Sequence, residues 1–459
     1  MNRLIIGLVS VTLVSAAVSA NAALIYAGET LGLAQAVAKA QAGDPWLQGS
    51  LLEQQAYEAS SLSAATQPDP VMSLGFANLP TDTFDFDQEP MTQFKVGVTQ
   101  RFARGDTLDL SQQRLALKGA NEHHRRADRL AQIEARVTSL WLDAFLAAES
   151  VRLIESDRGL FEYLVDVAKS SYTTALGRTR QQDLVRAQLE LTRLDDRLAL
   201  LQQQADTAVA RLSEWLGNES TFVDWRRPDQ TNRSIVGTEV ALPVLNLSAP
   251  PQFLRGEPLD ENWLSALLVA HPAVQSMENT ISVEQSGVAL AQQKYKPQWG
   301  VTASYGYRDD DPILGDRADF FSVGLTFDLP LFTGDRQDQD VQSAIARTEA
   351  RRSDRSLLLR TLRAQLETQR ASYLRLRQRQ EIYSTQLLGQ MREQAQASLT
   401  AYTNDDGDFA EVVRARIAEL NAKIEALAID VDIVRTAAQL NYYLDAPSYY
   451  TTAQQGVSS

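Results

Sequence analysis

The densest group of charged side chains suited to chemistry is Asp405, Asp406, Asp408 and Glu411, with Arg414 one turn further on. Carboxylates so placed can attract cations. They also suit a solvated turn, because acids favour the positive end of the helix that follows. Asp183 stands two turns beyond a Gly-containing stretch, Tyr172–Thr179, and can either pair across helices or face solvent. Asp309, Asp310 and Asp311 could ligate a divalent cation, though a plain acidic loop explains them as well. His123 and His124 are adjacent, about 100° apart on a helix, so they do not share a face and do not make a metal site. Arg351, Arg352, Arg355, Arg360, Arg363, Arg370, Arg375, Arg377 and Arg379 form a basic run with Leu and Gln interspersed, the pattern of a solvated helix face. There is no phosphate loop, no HExxH and no nucleophile elbow. The absence of cysteine excludes thiol catalysis, disulfides, zinc ribbons and iron–sulfur clusters. A net charge of -14 argues against nucleic acid as a partner. Nothing here calls for a cofactor.

The elements that carry these residues come in two copies. Asp44-Pro45 returns as His271-Pro272, and Pro70 returns as Pro297. Phe94-Lys95-Val96-Gly97-Val98 returns as Phe321-Ser322-Val323-Gly324-Leu325. Gly105-Asp106 returns as Gly334-Asp335, and Val185-Arg186-Ala187 as Val413-Arg414-Ala415. The spacing between partners stays constant to within two residues, which marks an internal duplication. Residues 23–217 and 259–445 are therefore the two repeats. Residues 218–258 form an irregular linker, whose Pro228, Pro243, Pro250, Pro251 and Pro258 forbid a long helix. Residues 446–459 form a C-terminal tail.

Each repeat reads as helix, strand pair and long helical hairpin. The first helix is expected over Thr30–Ala64 and again over Glu261–Gln293. The long helical stretches are expected at Leu108–Tyr172 and Asp338–Leu399, with return helices after a short break. At 1.5 Å per residue such a stretch is about 100 Å long. Its apolar residues recur in steps of three and four: Leu184, Ala187, Leu191, Leu194 and Leu198 in one return helix, Ile417, Leu420, Ile424, Leu427 and Val431 in the other. That period predicts left-handed coiled-coil packing.

The strands alternate strictly. Met72, Leu74 and Phe76 interleave with Ser73, Gly75 and Ala77; Val323, Leu325 and Phe327 interleave with Ser322, Gly324 and Thr326. One apolar face and one small polar face, over lengths near ten residues, suit a membrane barrel strand. Polar loops, Pro80–Pro90 and Arg308–Ala318, separate the members of each pair. Four strands fall short of the smallest bacterial barrels, which have about eight. Open strand edges are not tolerated in lipid. A membrane reading therefore requires several copies to share one barrel, and the arithmetic alone does not choose two, three or four.

Residues 1–22 read as a secretory signal: Arg3, an apolar stretch Leu4–Val18, and the small-x-small site Ala20-Asn21-Ala22. No cysteine follows, so no lipid anchor is expected. No later run is apolar and long enough for a spanning helix.

Pro70-Val71-Met72-Ser73-Leu74-Gly75, Lys95-Val96-Gly97-Val98-Thr99 and Phe327-Asp328-Leu329-Pro330-Leu331-Phe332-Thr333-Gly334, set in this duplicated architecture, resemble the strand segments of the TolC-type outer-membrane efflux proteins. The resemblance spans nearly all of the processed chain. It implies a mixed fold of long helices plus a membrane β-barrel, in which a homotrimer shares a twelve-stranded barrel above a twelve-helix periplasmic tunnel. It further implies a passive, non-enzymatic exit duct set in outer-membrane lipid. The expected partners are a periplasmic adaptor (membrane fusion) protein and an inner-membrane pump such as an RND or ABC transporter. By the same resemblance, adaptor docking falls on Ala175, Leu176, Gly177, Arg178 and Thr179 at the first hairpin tip. The tunnel closes near the tips, where Glu411, Asp405, Asp406, Asp408, Arg414 and Asp183 are the gate candidates. Arg414 stands where the family often has a second acidic ring, which gives a mixed Glu–Arg aperture. The competing reading is an exported coiled-coil structural or adhesion protein with a small soluble sheet. It accounts for the heptads but not for two strand pairs with one apolar face. A periplasmic adaptor would need only one hairpin.

Overall fold

The structure, a computed structural model, describes residues 31–173, 181–216, 242–245, 247, 249–310, 315–404, 408–444 and 450–451. The signal segment, the first hairpin tip and most of the linker lie outside the described residues.

Each expected first helix is two helices. In the first repeat α1 (Leu33–Gly43) stops one residue before α2 (Pro45–Ala64). The residue before a proline is pushed out of the helical region, and Asp44 accordingly takes φ -71° and ψ 113°. Its carboxylate accepts a hydrogen bond from Trp46 N at 3.0 Å and so starts α2. The second repeat uses the same device with different chemistry. Between α6 (Glu261–Ala270) and α7 (Pro272–Gln293), His271 Nδ1 accepts from Ala273 N at 3.2 Å. His271 is 1% exposed, and its Nε2 lies 3.1 Å from the carbonyl of Tyr442.

The strands follow: β1 (Val71–Ala77) and β2 (Gln93–Arg101) in the first repeat, β4 (Trp299–Tyr307) and β5 (Phe320–Phe327) in the second. They make one antiparallel sheet in the order β1-β2-β4-β5, joined across the repeats by β2 and β4. A separate two-residue pair links β3 (Val244–Leu245) in the linker to β6 (Tyr450–Thr451) in the tail, which sequence patterning did not foresee.

The hairpin arms have the expected length. Helix α3 runs Thr107–Thr173, 67 residues, and α4 returns over Gln181–Leu216. In the second repeat, helix α8 (Gln337–Ile382) passes through one π-helical turn (Tyr383–Leu387) into α9 (Leu388–Thr403), and α10 (Phe409–Leu444) returns. The short α5 (Pro251–Leu254) belongs to the linker. The predicted seam of α4 is the buried one: Ala187, Leu194, Leu198, Ala208 and Leu212 all lie inside.

Two cores hold the hairpins to the shorter helices. Trp141, fully buried, gathers Leu33 and Val37 of α1, Leu212 of α4 and Val434 of α10, and its indole N–H donates to Leu31 O at 2.9 Å. Phe253 of α5 does the same for the second repeat, with Leu264, Leu268, Leu366 and Leu440 around it. Burying each such side chain contributes about 1.5–3 kcal/mol, so these cores fix where the arms begin.

Five arginines of the basic run on α8 find carboxylate partners. Arg351 pairs with Asp354, Arg352 with Glu349, Arg355 with Glu278, Arg363 with Glu261, and Arg379 with Glu425.

Candidate functional site: the sheet face and the hairpin ends

The sheet has one apolar face that crosses both repeats. The register opposes Phe76 to Phe94, and Phe94 to Tyr307. One pair further along, Leu74 opposes Val96, Val96 opposes Tyr305, and Tyr305 opposes Phe321. Next come Met72, Val98, Ala303 and Val323 in line, and then Val301 opposite Leu325 and Trp299 opposite Phe327. These side chains are out in the open: Phe321 is 72% exposed and Leu325 61%. Soluble monomers rarely show a contiguous apolar patch of more than a few hundred Å². Aromatic residues gather at both ends, Phe76, Phe94 and Tyr307 at one and Trp299 with Phe327 at the other, like the girdles of membrane barrels.

The reverse face is mostly small or polar, with Ser73, Gly97, Thr99, Thr302, Ser304, Ser322 and Gly324 across its middle and Val71, Lys95, Arg101 and Phe320 nearer its margins. Thr99 and Thr302 share a hydroxyl hydrogen bond of 3.1 Å. A Cβ on Gly97 would stand 2.7 Å from Ser73 Oγ, so the Ser73 hydroxyl fills the space that the glycine leaves. Strands β1 and β5 each pair on one side only. No helix of the described residues is long and apolar enough to cross a membrane.

At the far end of the arms the two hairpins pack on each other. Leu164 of α3, Ala187 of α4, and Phe409, Val412 and Val413 of α10 form one buried cluster, with Tyr402 edge-on to Phe409 at 5.5 Å. Asp408 caps α10 by accepting from Ala410 N at 3.2 Å, so this candidate does the work expected of a solvated turn. Glu411 is exposed on the first turn of α10. Arg414 is also exposed, and its Nε–H donates back to Ala410 O at 3.1 Å. Asp183 lies in the first turn of α4, and its side chain is outside the described residues. Asp405, Asp406 and the expected docking residues Ala175, Leu176, Gly177, Arg178 and Thr179 are outside them too.

Two turns beyond Arg414 the structure assembles charges that sequence inspection missed. Glu419, buried, accepts from Arg416 at 2.9 Å and from Lys423 at 3.2 Å. Lys423 also reaches Asp157 on α3 at 3.2 Å. Arg416 donates to Gln396 on α9 at 3.3 Å, and Arg197 of α4 bonds Asn421. One helix is thus tied to three others. The spacing Arg416, Glu419, Lys423 is an ordinary i,i+3 and i,i+4 pattern that could have been noticed. Its partner Asp157 belongs to the other repeat and left no local signal. Arg158 of α3 pairs with Glu162 and reaches Asp195 of α4 at 3.1 Å.

His123 and His124 lie 5.6 Å apart, ring to ring, and burial followed by the neighbouring His123 holds His124 below its usual pKa. No group of three or more metal-ligating side chains comes together among the described residues.

Residues 263–444, nearly all of the second repeat, match the model of the outer membrane efflux protein family. The chain carries an outer membrane efflux protein domain. Solved structures extend the likeness of fold to the rest. A membrane protein from Pseudomonas aeruginosa is 14% identical with a TM-score of 0.72, over 90% of this chain and 93% of that one. The outer membrane protein VceC from Vibrio cholerae is 13% identical with a TM-score of 0.69, over 90% and 96%. The open state of the Neisseria gonorrhoeae MtrE outer membrane channel is 13% identical with a TM-score of 0.65, over 90% and 89%. At such identities the likeness is one of fold. No curated protein matches the chain by sequence. Residues 263–444 thus meet the first half of the chain in one sheet and in one bundle of hairpin ends.

Proposed function

We propose that this chain is one of three identical subunits of an outer-membrane exit duct. The observation that carries the reading is the apolar sheet face continuous over four strands from both repeats, bounded by strands with a free edge. Such a face is stable against lipid, and lipid forbids open edges. Strand directions alternate across the sheet, so β5 of one copy meets β1 of the next antiparallel. That contact is head-to-tail and closes a ring by rotation. Three copies make a barrel of twelve strands, with the small polar face lining the lumen and the helical arms extending below it as a twelve-helix tunnel. The duct itself carries out no catalytic step. It serves a tripartite efflux or type I secretion system, taking cargo from an inner-membrane pump such as an RND or ABC transporter through a periplasmic adaptor. The adaptor docks at the first tip, Ala175–Thr179.

Closure takes place where the hairpins end. Glu411 is the best placed of the gate candidates, because in a trimer three copies of it ring the aperture, and rings of carboxylates select and hold cations. Arg414, Asp405, Asp406 and Asp183 border the same aperture, while Asp408 shapes the turn. The Asp157–Lys423–Glu419–Arg416 chain holds the second hairpin against the first.

The test is mass and shape in mild detergent after extraction from outer membranes, followed by conductance in planar bilayers. An elongated trimer with a short barrel, whose Glu411→Ala variant conducts more than the parent, is the expected result. A water-soluble monomer or dimer that needs no detergent overturns the duct. Unchanged single-channel behaviour of Glu411→Ala removes Glu411 from the gate and leaves the duct standing.

A further inference from the structure

The loop between β1 and β2 is an ordered body. Asn78, at φ 56°, donates from its side chain to Met91 O at 3.1 Å, and Thr92 Oγ1 donates to Asn78 O at 3.0 Å, closing the neck. Phe84 N donates to Pro80 O at 3.1 Å. The other repeat clamps the loop from outside: Arg308 donates to Pro90 O at 3.0 Å and Arg317 to Asp87 O at 3.4 Å. Phe86 fixes the side on which the loop lies. Its ring stacks on Tyr307 at 6.3 Å and stands edge-on to Phe76 at 6.0 Å. Both partners belong to the apolar face, so the loop folds over that face and not over the small polar one.

Two residues before Phe86, Phe84 is 69% exposed and sits at φ 58°. A left-handed backbone at a bulky residue is disfavoured and persists only where the surroundings impose it. Glycine or asparagine would relieve it. The loop instead keeps a large apolar ring there, on an exposed position.

We propose that Phe84 is a lipid-inserting anchor: the clamped β1–β2 loop lays its ring into the interfacial zone of the leaflet at the loop end of the barrel. The proposal rests on the duct reading, because it takes the apolar face to be the lipid-facing one. The occupant follows from continuity. Phe86 already extends the apolar face into the loop, and exposed Phe84 stands two residues before it. The acids Asp82, Asp85 and Asp87 are exposed or half-buried polar neighbours that mark the aqueous boundary. Asp87 is held above the ordinary carboxylate range, chiefly by its hydrogen bond with Asp85 and by that residue's charge. An apolar ring beside a polar rim suits the interface of a bilayer.

The lack of native cysteine allows single-site labelling of the full chain. Phe84→Cys, Leu325→Cys on β5 and Glu393→Cys on α9 are each labelled with an environment-sensitive fluorophore and reconstituted in phosphatidylcholine vesicles. Quenching by a doxyl-labelled lipid is compared with quenching by aqueous iodide. The expected result is lipid quenching at Phe84 of at least half that at Leu325, and several-fold above Glu393. A label at Phe84 that only iodide quenches, with Leu325 still quenched by lipid, overturns the anchor and leaves the barrel intact. A label at Phe84 shielded from both quenchers means that a neighbouring copy covers it, which also overturns the anchor. Absence of lipid quenching at Leu325 means that the duct reading itself has failed.

Discussion

Val323 and Ser322 are adjacent on β5 and point to opposite faces of the sheet, which makes them a sensitive pair for a charge. Val323 opposes Ala303 on the apolar face and is 66% exposed. Ser322 opposes Ser304 on the small face. In a membrane barrel, Val323→Arg places a guanidinium near the middle of the hydrocarbon, at a cost of about 2–4 kcal/mol. Losing two-thirds of the transfer energy of a valine adds about 1–2 kcal/mol. The sum is about 3–6 kcal/mol per subunit, and a trimer suffers it three times. Ser322→Arg puts the same group into a water-filled lumen at little cost. In a soluble sheet both arginines would stand in water, each within about 0.5 kcal/mol of the parent. Urea titration of refolding into vesicles, read by recovery of the trimer on unheated gels, distinguishes the cases. Val323→Arg should fail to refold at urea concentrations where the parent and Ser322→Arg succeed. Equal tolerance of the two variants, or greater damage from Ser322→Arg, refutes the assignment of faces.

His271→Ala removes the cap of α7, leaves Tyr442 O without its partner and ends an edge-to-face contact of 4.9 Å. Helical unfolding followed by circular dichroism should show a loss of about 2–4 kcal/mol, whereas Asp260→Ala, which removes only a cap on α6, should lose about 1 kcal/mol. Lys423→Met cuts the link from α10 to Asp157 and leaves Glu419 with Arg416 alone; bilayer recordings should show more frequent or longer openings, and an unchanged open probability would discount the link as a latch. Burial raises the carboxyl of Asp143 above its ordinary range despite the opposing charges of Arg435, Arg211 and Arg136. The folded chain therefore takes up this proton at a higher pH than the unfolded one. This group adds stability as pH falls through its raised value towards the ordinary carboxylate range, and opposes folding above it. Asp143→Asn should flatten that part of the stability curve measured by urea titration across mildly acid pH.

The parts of this fold legible in the sequence are those written in local periods. The α4 seam repeats in threes and fours because one helix faces it along its whole length, and Ala187, Leu194, Leu198 and Leu212 are buried as spaced. The two faces of each strand follow from strict alternation, while their alignment across the sheet depends on the register. The split at Asp44 is a local event, set by Pro45 and the Asp44 cap, but it interrupts an otherwise helical pattern in which Thr30–Ala64 reads as one helix. Other features depend on residues distant in sequence. The pairing of β2 with β4 joins segments from different repeats, and nothing in either strand names the other. The bond from Lys423 to Asp157 likewise needs the hairpins brought together first. Of the gate candidates, Asp408 proves to be a helix cap, a role its position before Phe409 and Ala410 allowed from the outset.

The π-helical turn at Tyr383–Leu387 bears on the symmetry of the whole assembly. Two repeats in each of three subunits would naturally build a ring with six equivalent arms. A π turn accommodates an extra residue in an α-helix, and each residue rotates the side chains that follow by about 100°. Below Leu387 the side chains of the second arm are therefore turned relative to those of an uninterrupted α-helix. Helix α10 accordingly buries residues on several sides, Val412, Val413, Ala415 and Ala422 among them, where α4 buries a single stripe. In the proposed trimer, six hairpin arms would then be of two kinds, and the symmetry of the ring would be three-fold. The two kinds of hairpin can then divide the labour, with one kind left to move while the other stands still.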